Sequence, residues 1–157
     1  MTAQRMILAI DYGRARIGLA LAEEVTRLAR PLATLDRVNR NEDMRRLREI
    51  VREHSVRQIV VGLPLRLDGT RGEMAEEAAR FAQRVRKQIG LPVELVDERL
   101  TSWEAERLLE EQQGRPLRAD TRNSRRREGP RLTVDAMAAA VILKEYLERQ
   151  VAVEQIT

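Results

Sequence analysis

The 157-residue chain contains no cysteine and only one histidine, His54. These two absences exclude disulfides, structural zinc, iron–sulfur clusters, a cysteine nucleophile and any site with several histidine ligands. A Ser-His-Asp triad would have to use His54, and nothing in the neighbouring sequence suggests one. Because His54 ends a predicted helix, where a cation suits the helix dipole, we interpret it as structural.

Aromatic residues make up only 3% of the chain, too few to predict a base-stacking surface of the RNA-recognition or OB type. Long apolar segments are also missing. The longest run, Ala136–Leu143, is far shorter than the about 20 residues that cross a bilayer. The short apolar stretch Met6–Ile10 ends on Asp11 and does not have the pattern of a secretion signal. We therefore expect a cytoplasmic protein with no membrane partner, folded as one globular domain.

Lysine is scarce, and the positive charge comes almost entirely from arginine. Of the net charge of +4, residues 115–131 (RPLRADTRNSRRREGPR) carry +5, from seven arginines against two acids, so the rest of the chain nets −1. This segment has no apolar periodicity, and we predict a flexible Arg-rich loop over 114–131. Such tracts suit phosphate backbones, and Arg125, Arg126 and Arg127 are its densest group. A solvated loop without a ligand is the alternative.

Apolar periodicity predicts strands and helices in the order βββαβαβα. The predicted strands cover 6–12, 16–22, 27–35, 57–61 and 93–97. The predicted helices begin at an Asn41 cap, at a capping box formed by Thr70 and Glu73, near Ser102 and at a Thr133 cap, and they end near 54, 88, 113 and 150.

Three strands joined by short turns predict an antiparallel meander, to which the later β–α units add parallel strands. The expected fold class is therefore α/β, a mixed five-stranded sheet flanked by helices. This element order is that of the ribonuclease H-like (RNase H-like) topology, for which the sheet order, by analogy, is 3-2-1-4-5.

Acidic residues stand at the ends of three apolar segments. Asp11 ends MILAID, Asp97 and Glu98 end VELVDE, and Asp135 lies in the first turn of a helix with a small apolar face. A carboxylate at the edge of a buried element is costly unless it is paired or binds a cation. If the strands ending at 11 and 97 are adjacent, their acids converge, and the last helix could add its own. Such oxygen ligands select Mg²⁺ or Mn²⁺, and two such ions can activate water against a phosphodiester.

Each acid also has a purely structural interpretation. Asp11 could pair with Arg14 or Arg16 across the following turn, and either acid of the Asp-Glu pair could bond Arg99. The helix dipole alone favours Asp135 in a first turn. Convergence of all three positions would be more telling than any one of them.

Four motifs follow one another between residues 7 and 147: ILAIDYGRARIGLALAEE, IVVGLPLRLDGTRG, VDERLTSWEA and VDAMAAAVILKEYL. The first holds Asp11, Gly13, Arg16 and Gly18 in the pattern Asp-x-Gly-x-x-Arg-Ile-Gly. In these motifs the chain resembles the YqgF/RuvX family. One motif alone would be weak evidence, whereas four in order are strong.

The resemblance implies a single RNase H-like nuclease domain over 1–157, related to RuvC resolvases. It implies catalytic and metal-binding acids at Asp11, Glu98 and Asp135, with Mg²⁺ or Mn²⁺ as cofactor, and Asp97 is the alternative to Glu98. The family is described both as maturing the 5′ end of pre-16S rRNA and as resolving Holliday junctions, so pre-rRNA and branched DNA both remain open as partners. A resolvase needs two active sites on one junction, so a homodimer would favour DNA.

We expect Arg14, Arg16 and Arg99 to contact the scissile strand because they lie near the acids in sequence. Two other functions remain open. One is a non-catalytic RNA- or DNA-binding factor on an RNase H-like scaffold, and the other is a phosphate-handling fragment of the actin/Hsp70 type, whose first strand also carries an Asp-x-Gly turn.

Overall fold

Five strands and three helices make up the computed structural model, which describes residues 5–66, 68–97 and 133–156. Strands β1 to β5 cover, in order, Met6–Asp11, Arg16–Glu23, Ala29–Asp36, Val56–Leu63 and Val93–Asp97. Helices α1 to α3 cover Arg40–Glu53, Glu73–Ile89 and Val134–Ile156. The predicted helix over 102–113 and the predicted loop over 114–131 lie outside the described residues.

The strands form one mixed sheet in the order β3-β2-β1-β4-β5. β1, β2 and β3 pair antiparallel, as the short turns predict, and β4 and β5 extend the sheet in parallel from β1. The predicted fold class and sheet order are therefore confirmed. β1 is the central strand, and burial on both faces explains why its sequence is an unbroken apolar run.

Alternate side chains of β1 belong to two different cores. Leu8 and Ile10 face α1 and α2 and share a core with Phe81. Ala9 and its neighbours on the other face pack against α3. Small residues are frequent on the α3 side: Ala9, Ala20, Ala22, Ala139 and Ala140. Because these side chains are short, α3 can lie close to the sheet.

The N-cap of helix α1 lies two residues before the predicted one. Asn39, not Asn41, is its N-cap, and the Asn39 Oδ1 accepts a hydrogen bond of 2.8 Å from the backbone N–H of Glu42. Both asparagines can cap a helix, so sequence alone does not separate them. The helix ends at His54, which is its C-cap, as expected.

Helix α2 begins at Glu73 without the predicted capping box. Its N-cap is Gly72, which has no side chain to cap with. The Thr70 hydroxyl donates instead to Asp68 Oδ1 at 2.6 Å, and this local turn competes with capping. Helix α3 does begin as predicted, because the Thr133 hydroxyl oxygen accepts from the third residue of its first turn. No helix within the described ranges is long and apolar enough to cross a lipid bilayer.

Candidate active site

The carboxylate of Asp11 stands at the carboxyl end of β1, on the face of the sheet that α3 covers. Ala9, two residues earlier, packs in the α3 core, and side chains two apart on a strand share a face. Asp11 pairs with Gly18 on β2, and Gly18 pairs with Thr34 on β3. A row of three residues therefore crosses the sheet at this edge.

Gly18 is where α3 reaches the sheet. A Cβ placed on this glycine would overlap the main-chain carbonyl of Asp135, in the first turn of α3. Beside it, the hydroxyls of Thr34 and Thr133 are in hydrogen-bond contact. The glycine is required by this close approach of two backbones, and it puts Asp135 beside the cross-strand partner of Asp11. The structure thus brings Asp11 and Asp135 to one place.

Asp135 is held by an arginine from β2. Its side chain is 31% exposed, and Oδ2 accepts a hydrogen bond of 3.0 Å from Arg16 Nε. Arg16 itself is 59% exposed, so its guanidinium lies at the mouth of the site. The sequence suggested Asp11 as a partner for this arginine, whereas the described contact is with Asp135.

Asp97 lies on the other face of the sheet. It pairs with Leu63 on β4, and Leu63 packs against Ala75 and Ala78 of α2. The residue before it, Val96, is the one in the α3 core. The acids were expected to converge if the strands ending at 11 and 97 are adjacent, and this condition is not met, because β4 lies between them, as the predicted sheet order requires. Two strand spacings separate their ends by about 10 Å.

Asp11 and Asp135, the acids on the α3 face, offer only oxygen ligands. Hard divalent cations such as Mg²⁺ prefer oxygen ligands, so the chemistry of these residues suits such a cation. Within 5–66, 68–97 and 133–156, no three histidine, aspartate or glutamate side chains come together to hold a metal ion. Five other predicted site residues lie outside the described ranges: Glu98, Arg99, Arg125, Arg126 and Arg127.

Arg14 reaches across to α2 instead of lying free at the site. Its Nε donates to both carboxylate oxygens of Glu77, at 3.1 and 3.0 Å, and the Tyr12 hydroxyl donates to the same carboxylate at 3.2 Å. The hydrogen bond from Arg14 is the main cause that lowers the pKa of Glu77 below its usual value. The β1–β2 turn is thereby attached to α2.

Sequence reasoning missed a buried carboxylate, Asp43, which supports this turn from below. Only 2% of its side chain is exposed, and it accepts hydrogen bonds from Arg37 at 3.1 Å, Arg46 at 3.2 Å and the Val38 N–H at 3.0 Å. Burial tends to raise its pKa, but these donors outweigh burial and lower it. Arg37 also donates to the carbonyl of Gly13 at 3.2 Å, which fixes the turn after Asp11. The only sequence signal for Asp43 was its position as an acid in the first turn of a predicted helix.

Comparison with known proteins identifies relatives along nearly the whole chain. A family model described as "RuvX: Holliday junction resolvase" matches residues 5–149. A protein of Anaeromyxobacter sp. (strain K) named "Putative pre-16S rRNA nuclease" is 46% identical over 91% of this chain and 96% of its own. A protein of the same name from Azotobacter vinelandii is 40% identical over 97% and 99%.

Among solved structures, RuvC of T. thermophilus in complex with a Holliday junction substrate superposes with a TM-score of 0.54. The two chains are 14% identical, and the match covers 94% of this chain and 96% of that one. At this identity the likeness concerns the fold, which is the mixed sheet with flanking helices described above.

Proposed function

The chain belongs to the RuvX family, as the four motifs predicted, and on that premise we propose that it is a divalent-metal-dependent nuclease acting on structured nucleic acid. The observation that carries this proposal is the placement of Asp11 and Asp135 around Gly18. Two carboxylates gathered at the end of a central strand offer the oxygen ligands that a divalent cation binds. A non-catalytic binding factor on the same scaffold would have no use for this arrangement.

Asp11, Asp135 and Glu98 are the residues we propose to hold Mg²⁺ or Mn²⁺, with Asp11 as the shared ligand. When bound, such ions supply water activation and stabilise the leaving oxygen of a phosphodiester. The chain's own part is to hold the carboxylates at fixed positions. The backbone contact at Gly18 fixes Asp135, and the end of β1 fixes Asp11.

We propose Glu98, not Asp97, as the acid from the end of β5. Asp97 shares a face with Leu63 and α2, away from Asp11. Strand alternation puts Val96 on the α3 face and Asp97 on the opposite face. The choice between the neighbouring acids, which the sequence left open, is therefore argued from the position of Asp97.

Arg16 is the arginine best placed to contact the scissile phosphate, because its guanidinium already touches Asp135 and faces solvent. Arg14 is held by Glu77, and it would reach the substrate only at the outer side of the turn. We keep Arg99, Arg125, Arg126 and Arg127 as proposed backbone contacts on the strength of charge and sequence position.

Pre-16S rRNA is the substrate we place first, since relatives that match 91% and 97% of this chain carry that name. A four-way DNA junction is the second candidate. It is favoured by the family description and by the fold likeness to a RuvC structure that contains such a junction. If the junction is the substrate, two copies of the chain must act together.

One assay tests the proposal and separates the two substrates. The purified protein and its Asp11→Asn variant are incubated with a labelled precursor-like RNA and with a labelled four-way junction, each with Mg²⁺, with Mn²⁺ and with a chelator. Metal-dependent cleavage by the wild type alone supports the nuclease. Paired symmetric nicks in the junction identify a dimeric resolvase, and cleavage of RNA alone identifies an rRNA-processing enzyme. Intact substrates that are nevertheless bound would overturn the nuclease in favour of a binding factor.

A further inference from the structure

Four arginines lie together on the opposite face of the sheet, between α1 and α2. Arg80 and Arg84 are four residues apart on α2 and therefore share one face of that helix. The guanidinium of Arg37 lies 5.7 Å from the ring centroid of Phe81, which is three residues before Arg84 on α2 and therefore neighbours it. Arg40 begins α1, three residues after Arg37. We call Arg37, Arg40, Arg80 and Arg84 the α1–α2 arginine cluster.

Arg84 occupies an unusual position for an arginine. Its Nη1 is inaccessible to solvent and has no hydrogen-bond partner among the described residues. Burial, followed by the nearby charges of Arg40 and Arg37, lowers its pKa from the ordinary value for arginine. A guanidinium that loses water without gaining a protein acceptor is costly, and this one also faces like charges.

Two acids that contact neighbouring residues, Asp43 and Glu77, are already engaged. Asp43 takes its hydrogen bonds from Arg37, Arg46 and a backbone N–H. Glu77 takes its hydrogen bonds from Arg14 and Tyr12. Within the part of the chain that the structure describes, neither carboxylate bonds Arg84, so the cluster carries an excess of positive charge. Such a cluster is suited to an anionic ligand with several oxygen acceptors.

We propose that the α1–α2 arginine cluster is a second phosphate-binding site and that its ligand is a backbone phosphate of the nucleic acid held at the active site. The chemistry recognised is a phosphate oxygen, which accepts hydrogen bonds from the accessible guanidinium nitrogens of the cluster and offsets the like charges around Arg84. The identity of the ligand as nucleic acid rests on the proposed nuclease function. The phosphate site itself rests on the arginines alone.

The cluster is connected to the active-site edge of the sheet through consecutive residues. Asp11 faces α3, and Tyr12, the next residue, faces α2 and packs against Phe81 with a ring-centroid distance of 5.1 Å. The Arg37 guanidinium lies 5.0 Å from the Tyr12 ring and bonds the carbonyl of Gly13. A strand of nucleic acid crossing this edge would meet the acids on one face and the arginines on the other.

The test is a binding comparison between two matched double variants. Arg40→Gln/Arg84→Gln removes two charges from the cluster. Arg52→Gln/Arg86→Gln removes two exposed charges from the same two helices and serves as control. Affinity for the labelled RNA and the labelled junction is measured in chelator, over a series of salt concentrations.

In the cluster variant we expect affinity to fall by about tenfold and the slope of log K against log salt to shrink by about 0.9 for each lost duplex phosphate. The control variant should retain both values. Equal affinities and slopes in the cluster variant and the wild type would overturn the proposal. A melting curve shows that both variants fold, and the cluster variant should melt no lower than the control because it loses mutual repulsion.

Inorganic tripolyphosphate serves as a probe for the source of the phosphate. It should raise the melting temperature of the wild type more than that of the cluster variant. If it does so while nucleic-acid affinity is unchanged, the site takes a free polyphosphate, and the backbone assignment is wrong. If the nuclease proposal is wrong, the wild type itself will show no metal-dependent cleavage. That result does not depend on either double variant.

Discussion

Gly18 lies directly beneath Asp135, and the place where a Cβ would stand on the glycine is filled by the main-chain carbonyl of the aspartate. Gly18 is also the cross-strand partner of Asp11. This single residue therefore sets how close the N-terminus of α3 comes to the end of β1. The separation of two proposed metal ligands depends on a residue that carries no chemistry of its own.

Gly18→Ala should move α3 away from the sheet and lower cleavage without altering any acid. The added methyl group meets backbone, which yields poorly, so we expect a loss of about 1–3 kcal/mol in unfolding free energy and a larger fractional loss of activity. Denaturant melts and cleavage rates measure both. Gly72→Ala is the matched control, since the atoms nearest to a Cβ there belong to the flexible side chain of Arg66. Equal behaviour of the two variants would contradict the role of Gly18.

Asp43→Asn should destabilise the chain strongly although it lies outside the proposed active site. It leaves Arg37 and Arg46 without their buried counter-charge, at a cost of about 3 kcal/mol. Glu49→Gln, which breaks an exposed pair with Arg45, should cost less than about 1 kcal/mol. Urea unfolding at neutral pH measures both, and a mild Asp43→Asn would show that the buried pairs add little.

The contribution of Asp43 should also depend on pH with a definite sign. Its pKa in the folded chain is lowered, so its carboxylate stabilises the fold above the unfolded value of about 3.9 and loses this effect as the pH falls through the folded pKa. The difference in unfolding free energy between wild type and Asp43→Asn should therefore be constant near neutral pH and shrink below about pH 4. A difference that grows with acid would contradict the assigned sign.

Asp97→Asn and Glu98→Gln should separate the two neighbouring acids. Asp97 faces α2, so its variant should keep metal-dependent cleavage, whereas the Glu98 variant should lose it. Both remove one negative charge from adjacent positions, which makes each the control of the other. Single-turnover cleavage rates decide the matter, and loss of activity only in Asp97→Asn would reverse the assignment.

Arg16→Gln should lower cleavage far more than stability. Its bond to Asp135 is largely exposed, and such pairs contribute about 0–1 kcal/mol. Arg14→Gln breaks a similarly exposed pair, with Glu77, but away from the acids, so its cleavage rate should stay closer to that of the wild type. Melting temperatures and cleavage rates of the two variants are compared, and equal activity losses would remove the special role of Arg16.

The fold was largely predictable because apolar periodicity determines which segments are strands and in what order they occur. The helix starts were less predictable. Asn39 and Asn41 are both good caps, and Thr70 donates a hydrogen bond to Asp68 instead of capping α2. These choices depend on energies of about 1 kcal/mol, which sequence patterns do not resolve.

The site was predictable only as a set of acids. That Asp11 and Asp135 belong to one site was implied by the family resemblance, but their contact through Gly18 needs the register of β1 and β2. To reject Asp97 as the second acid, one must know on which face of the sheet its side chain lies. The pairing of Arg14 with Glu77, 63 residues away, has no local signal at all. Long-range pairing is the information that a single sequence lacks.

The most direct test of the proposed active site is the single-turnover cleavage rate of Asp11→Asn at saturating substrate, with nucleic-acid binding measured on the same samples. The substitution keeps the size of the side chain and removes its charge. We predict that cleavage falls by at least about 1,000-fold while affinity in chelator stays within about twofold of the wild type. Cleavage at the wild-type rate would contradict the account, because it would place the chemistry somewhere other than the end of β1.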